Sequence, residues 1–328
     1  MHRSGRRDRS APRCGNRVVS NVSWDPRSLP DQSGKTFVVT GANAGLGYFT
    51  SEQLAGAGAH VILACRNTLK ADAAAAAIRD RAPGASVSVL QLDVSDLQSV
   101  REVSETLRAL PRLDGLILNA GIVHPSADRQ VSLDGNELIF ATNFLGHFAL
   151  TAGTLTALRR TPGSRVVSLG SLISRLMDSS LDDLQLATTY NGWKAYAQSK
   201  IAMQVFGFEL DRRLRATGAG MVQSLVAHPG YSISGLTPTI PGVNSVSRIK
   251  RVIDGAQTLV GAQGKHHGAW STVRAAIDPD ADGGDYFGPR LLTRGRPVRQ
   301  PATRTSRDRA VAARLWERAE TLIDEPFL

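Results

Sequence analysis

Lys35-Thr36-Phe37-Val38-Val39-Thr40-Gly41-Ala42-Asn43-Ala44-Gly45-Leu46-Gly47 is the stretch that decides the fold. Its first six residues form a β-branched and aromatic run suited to a buried strand. Glycines then recur at 41, 45 and 47, and a stretch with helical spacing continues through Leu54 and Ala57. A strand, a glycine-rich turn and a helix in that order read as the opening of a dinucleotide-binding βαβ unit. Gly41 permits the tight turn, Gly45 lets backbone approach a pyrophosphate, and Gly47 lets the helix pack closely on the sheet. The N–H groups of the turn and first helical residues, among them Asn43 and Leu46, face the negative charge.

The same alternation continues outward from this stretch. Residues 60–65, 86–92, 113–118, 165–169 and 221–227 read as five more strands, with helices over 68–81, 96–110, 134–159 and 191–215. Near-continuous apolar strands separated by helices predict a mostly parallel sheet covered on both faces. The expected fold is α/β, a doubly wound Rossmann-type single domain over 31–290. Residues 231–265 interrupt it with Pro238, Pro241 and many Ser and Gly, and read as an irregular substrate loop. Leu236, Ile240, Val243 and Val246 are its candidate apolar lining. Residues 266–277 return to helix, and 285–287 read as a short edge strand. An amphipathic helix over 306–323 carries Leu315, Trp316, Ala319, Leu322 and Ile323 on one face.

Composition excludes several classes. The 328 residues are 42% hydrophobic and 21% charged, which argues against disorder and collagen-like repeats. Two cysteines, Cys14 and Cys65, cannot form a disulfide scaffold or a four-cysteine zinc site. No metal is expected, since His266-His267 has no third ligand at a telling spacing. The formal charge is +10, and it lies at the ends: +5 over residues 1–17, +6 over 289–320, but only +1 over 18–288. A neutral body argues against nucleic acid as a partner. Residues 1–30 read as a basic disordered tail, and 291–328 as a basic segment and helix. No run approaches ~18 consecutive apolar residues, and no apolar segment follows the N-terminal arginines. Neither a transmembrane segment nor an export signal is therefore expected, and a cytoplasmic protein is the default.

Chemistry concentrates at the carboxyl ends of the strands. The second strand ends at Cys65-Arg66-Asn67 without an acid. A carboxylate there would suit the ribose hydroxyl of NAD, whereas the Arg66 guanidinium suits the extra phosphate of NADP, so NADP preference is expected. Asp93-Val94 ends the third strand, where a carboxylate could meet the adenine amino group. Asn119-Ala120-Gly121 ends the fourth beside the cofactor crevice. Tyr196 and Lys200 are four apart on a predicted helix and share a face. A free phenol has a pKa near ~10, and a neighbouring ammonium favours the phenolate. Ser171 directly follows the fifth strand, where its hydroxyl can meet a substrate oxygen.

Taken together, Thr40–Gly47 as TGxxxGxG, Asn119-Ala120-Gly121, Asn143, Ser171, Tyr196 to Lys200 as YxxxK, and His228-Pro229-Gly230 resemble the classical short-chain dehydrogenase/reductase superfamily over about residues 31–290. Leu63 to Asn67, Thr142 to Phe148, and Asp278-Pro279-Asp280 with Tyr286 to Pro289 resemble its retinol-dehydrogenase-like group, especially actinobacterial members. The resemblance implies Tyr196 as general acid/base, Lys200 lowering its pKa and holding the nicotinamide ribose, and Ser171 polarising the carbonyl. Asn143 would support Lys200 through a water relay, and Pro229 and Gly230 would border the cofactor. It implies a small carbonyl or alcohol as substrate, which the apolar candidate lining of 231–265 points to as lipophilic, and 134–159 and 191–215 could form the face of a homodimer, as in many relatives. The chain departs from the pattern at Ala44, Leu118, Gly170 and Ser234. Two alternatives stand beside this reading: a catalytically silent NADP-binding sensor or scaffold, and a C=C reductase on the same scaffold. Intact Ser171, Tyr196 and Lys200 argue against the first, which needs no proton relay.

Overall fold

The computed structural model describes residues 24–177, 181–218 and 221–328; of the tail expected over 1–30, residues 1–23 lie outside them, whereas Trp24 and Leu29 pack against the core and belong to the fold. The described residues hold ten strands. They are β1 (Thr36–Thr40), β2 (His60–Cys65), β3 (Ser86–Gln91), β4 (Gly115–Leu118), β5 (Arg165–Leu169), β6 (Gln223–Ala227), β7 (Ser232–Ile233), β8 (Gln263–Gly264), β9 (Tyr286–Pro289) and β10 (Pro297–Arg299). Eight form one sheet in the order β10-β9-β6-β5-β4-β1-β2-β3, parallel except for β10. The order reverses between β1 and β4, which pair directly through Val38 opposite Leu116. That switch point opens the crevice where ligands of such sheets bind.

Side chains alternate across the sheet as strand geometry requires. Val38, Ile62, Leu116 and Val166 point into one apolar layer. Phe37, Val39, Leu63, Ile117 and Val167 point into the other. The first layer is covered by α3 (Leu97–Arg108), α4 (Leu138–Arg160), α5 (Gly192–Ala216) and, further along the chain, the C-terminal helix. The second is covered by α1 (Gly45–Gly56), α2 (Thr68–Arg81) and, further along the chain, the helix over residues 265–277. Helix starts follow their caps. Asn67 accepts from Lys70 N, Asp96 from Gln98 N, and Asn191 from Lys194 N. Glu137 accepts from Ile139 N and Phe140 N, so α4 begins at Leu138 and not near 134 as the apolar spacing suggests.

Helix α4 is 23 residues long and apolar enough to cross a membrane by length and composition, with 72% of its most apolar window buried inside the molecule. The expectation of no such segment rested on consecutive apolar residues and overlooked this helix, whose Thr, Gly and Asn interrupt the run.

Two expectations are corrected at the C-terminal end. The strand expected over 285–287 is not the edge. As β9 it pairs in parallel with β6, and β10 covers its other side in antiparallel register. The charge-rich end is also no appendage. Helices α6 (Arg248–Ala256), α7 (Lys265–Ile277) and α8 (Arg309–Ile323) complete the fold, with Asp308 capping α8. Leu315, Trp316, Ala319 and Ile323 are buried in the same layer as Phe148 and Phe206. The Trp316 ring lies 5.0 Å from Phe148 and 5.8 Å from Phe206, centroid to centroid.

The segment expected to be an irregular substrate loop has more structure than its Pro and Ser content suggests. Strand β7 pairs with β8 in a small separate sheet. Ser247 Oγ accepts from Lys250 N at 3.2 Å and starts α6. Ile240 is fully buried in the layer shared with α1 and α2, and Val243 packs against that layer. Those two anchor the loop instead of lining an open pocket.

Candidate active site

Strand β5 ends at Leu169, and the next turn carries Ser171 to the carboxyl edge of the sheet. Helix α5 runs past this edge with Tyr196, Lys200 and Gln204 one turn apart on one face. The Tyr196 hydroxyl lies 3.3 Å from Ser171 Oγ. Lys200 Nζ donates to the Leu169 carbonyl at 3.2 Å. Ser171, Tyr196 and Lys200, distant in sequence, thus come together. Burial lowers the Lys200 pKa to about 8. Burial also raises the Tyr196 pKa, and the Ser171 hydrogen bond opposes that shift. The lowered phenol expected from the Tyr–Lys spacing is therefore not seen in this state, because desolvation of the phenolate outweighs its stabilisation.

Gln204 was not anticipated from the sequence. Fully buried, it donates to Ser174 Oγ at 2.6 Å and to the Ser171 carbonyl at 3.2 Å, and accepts from Ser306 Oγ at 3.0 Å. It pins the Ser171 turn to the C-terminal segment. It also explains Gly170: a Cβ there would lie 2.5 Å from Gln204 Nε2 and 2.7 Å from its Cγ. Its place at the next i+4 position after Lys200 puts it on the same helix face, but only the fold shows what that face meets.

Asn143 sits in a π-turn, Ala141–Leu145, inside α4, a local widening common at functional sites. Its side chain is committed to structure. Oδ1 accepts from Ile122 N at 2.7 Å, while Nδ2 donates to Ser199 Oγ at 2.9 Å and Ile122 O at 3.1 Å. Asn143 thus ties the segment after β4 to α5 one residue before Lys200. Gly121 fits between them, for a Cβ there would lie 3.0 Å from Asn143 Oδ1 and 3.5 Å from Lys200 Nζ. His147, fully buried, reaches the Asn143 carbonyl through Nδ1 at 3.3 Å and Thr40 Oγ1 through Nε2 at 2.9 Å. Burial lowers its pKa to about 3, so it is a neutral connector between this turn and the glycine turn.

Thr40 Oγ1 accepts from the backbone N of Asn119 and of Ala120, both at 2.9 Å. Asn119 Nδ2 returns to the Thr40 carbonyl at 2.7 Å. These bonds hold β4 against the start of the glycine turn. Gly41 and Gly45 have φ of +65° and +61°, a region that disfavours side chains. A Cβ on Gly47 would lie 2.5 Å from Asn119 Nδ2 and from Gly41 O. The α1 start has no side-chain cap and no acid in its first turn, so its N–H groups are left to an anion. The turn therefore fits a dinucleotide pyrophosphate.

At the ends of β2 and β3, Arg66 Nη1 lies 3.6 Å from Asp93 Oδ2, with the Arg66 side chain 78% exposed. Asp93 Oδ1 also accepts from Ser95 N and Ser95 Oγ, and the Val94 side chain is buried in the core. Across the crevice, Pro229 O accepts from Ser232 Oγ and Gln263 Nε2, both at 2.8 Å, and Gly230 turns at φ +67°.

The apolar wall beside Tyr196 comes from residues not picked out by sequence: Ile139, Leu186, Ile122, Ile173 and Tyr190 cluster with it. The Trp193 ring lies 6.2 Å from that of Tyr196 and is largely exposed.

Comparison with known proteins agrees with this geometry. The family model described as short chain dehydrogenase matches residues 35–240. Mouse retinol dehydrogenase 14 is 34% identical over 312 residues, covering 88% of this chain and 86% of that protein. Human retinol dehydrogenase 13 is 35% identical, with 88% and 85% covered, and mouse polyprenol dehydrogenase is 34% identical, with 89% and 84% covered. A crystal structure from Mycobacterium paratuberculosis superposes with a TM-score of 0.74 at 35% identity, covering 93% of this chain and 99% of that one.

Proposed function

The chain belongs to the short-chain dehydrogenase family, in its retinol-dehydrogenase-like group, and on that premise we propose an NADP-preferring oxidoreductase acting on lipophilic alcohols and carbonyls. That it is a nicotinamide-dependent alcohol/carbonyl oxidoreductase follows from the family. The observation that carries the residue assignment is the Tyr196 hydroxyl 3.3 Å from Ser171 Oγ, with buried Lys200 on the next turn. The glycine turn, Asn119 to Gly121, and Pro229 and Gly230 would hold the dinucleotide. A nicotinamide held there would supply hydride to a carbonyl carbon or take it from an alcohol. In the reduction, Tyr196 gives its phenolic proton to the substrate oxygen while Ser171 donates a hydrogen bond to the same atom. Lys200, positive below about pH 8, favours the phenolate that remains.

Arg66 at the β2 end, exposed and without an acid on its own strand, supports NADP over NAD. Two observations support a lipophilic substrate. Ile122, Ile173 and Leu186 form an apolar wall at Tyr196. The similar proteins named above act, by name, on retinol and polyprenol.

The test is NADPH- and NADH-linked reduction of aldehydes and ketones, and NADP+- and NAD+-linked oxidation of alcohols, of increasing chain length, with wild type and Arg66→Glu. The expected result is NADPH-preferring turnover that rises with chain length, and a preference that collapses in Arg66→Glu. Tight NADPH binding without turnover of any substrate would make the protein a sensor. Reduction of enones at the C=C bond alone would make it an ene-type reductase.

A further inference from the structure

Helix α7 opens with Lys265, whose side chain runs to the glycine turn. An ideal Cβ on Gly45 would lie 3.6 Å from both Lys265 Cδ and Nζ. The second glycine of such a turn is kept bare so that backbone can approach a pyrophosphate. The Lys265 ammonium therefore borders the space that Gly45 leaves open.

Among the described residues, Lys265 Nζ has no ion-pair partner, whereas nearby Lys250 pairs with Asp254 at 3.2 Å. Partial burial and the Lys250 charge both lower its pKa. As first residue of α7 it also sits at the end of a helix where positive charge is unfavourable. The residues after it, His266 and His267, are likewise pushed toward neutrality by burial. A partly desolvated ammonium without a counter-charge costs stability, and an anion in the glycine turn would remove that cost.

We propose that Lys265 is a binding residue for the pyrophosphate of the dinucleotide, reaching over Gly45 at the start of α1. The proposal rests on the dinucleotide reading of that turn. It assigns Lys265 to the phosphates common to NADPH and NADH, leaving the extra phosphate of NADPH to Arg66.

The test measures Kd for NADPH and for NADH by fluorescence titration, with the full chain as wild type, Lys265→Met and Lys265→Arg, alongside the ligand-free Tm. Lys265→Met is expected to weaken both dinucleotides by a similar factor, roughly ten- to a hundredfold for one charge-assisted hydrogen bond. Its salt dependence of Kd should be shallower, and its ligand-free Tm equal to or above wild type. Lys265→Arg should recover most of the affinity. Unchanged Kd values in Lys265→Met overturn the proposal, as does a loss confined to NADPH, which would move Lys265 to the extra phosphate. A lowered Tm with unchanged affinity would make Lys265 structural. Wild type binding neither dinucleotide would overturn the underlying reading; wild type binding both, with Lys265→Met binding equally, overturns this inference alone.

Discussion

At the scale of single residues, the reaction depends on a proton held at one atom. Tyr196→Phe removes that atom and keeps the ring packed against Ile139 and Leu186. Turnover is expected to fall by roughly 10²–10⁴-fold, with NADPH affinity and Tm unchanged; a variant retaining more than a tenth of wild-type kcat would remove Tyr196 from the proton-transfer role. Gly170 gives a second test at this scale. Family resemblance alone made Gly170 a departure from a common Ser, with no reason for it. The reason is Gln204, whose amide and Cγ fill the volume a side chain would need. Gly170→Ser should overpack the turn and cost about 1–3 kcal/mol, while adding Gln204→Ala to it should cost less than the two single changes summed. Additive losses measured by denaturant unfolding would mean the two residues do not share that space. Tyr196, Lys200 and Ser171 were legible because their chemistry fixes their residue types and spacing. Gln204, Ser199 and His147 were not, because buried amides, hydroxyls and neutral imidazoles acquire meaning only from the partners the fold brings to them.

Among the elements, β2, α2 and β5 were legible to the residue. Each is bounded by a local signal, such as Asn67 capping α2, and each buries a face that periodicity reveals. Helix α6 was missed for the opposite reason. Ile249, Val252 and Ile253 follow helical spacing, yet they are 74%, 75% and 59% exposed, so the helix turns its apolar stripe to solvent. Pro238 and Pro241 before it made the whole segment read as loop. An exposed nine-residue helix is marginal alone, so α6 should depend on its cap. Ser247→Ala removes the acceptor for Lys250 N and is expected to weaken the helix by about 1 kcal/mol. Amide hydrogen exchange over 248–256 should then accelerate roughly fivefold, while exchange in β1 and β4 stays as in wild type. Unchanged exchange over 248–256 would show that the anchors on either side hold α6, and not its cap.

For the whole molecule, the sequence located the +10 charge at the two ends but misjudged what one end does. The arginines of the C-terminal end belong to a segment that closes the core. Arg299 pairs with Asp285 at 2.8 Å, and the Arg307 guanidinium lies over the Phe208 ring. Trp316 is 2% exposed amid Phe148, Phe206 and Phe327. Such packing depends on long-range contacts that no local pattern encodes. Stability against pH follows from another property of the whole fold, its buried neutral histidines. His147 and His228 are fully buried, and burial lowers their pKa values from 6.5 to about 3 and about 4. In the unfolded chain both take up protons as pH falls below 6.5; in the folded chain neither does until pH 4 or below. The unfolded state thus binds more protons in that window, and stability present above pH 6.5 is lost as pH falls toward 4. At pH 5 the two together remove on the order of 4 kcal/mol, which for a chain of this length corresponds to a Tm lower by roughly 6 °C. Calorimetry at pH 7.5 and 5.0 measures it, with most carboxylates remaining ionised in both buffers. A Tm that does not fall between those values would mean the imidazoles are protonated in the folded protein, and would contradict the neutral bridge from Thr40 through His147 to Asn143.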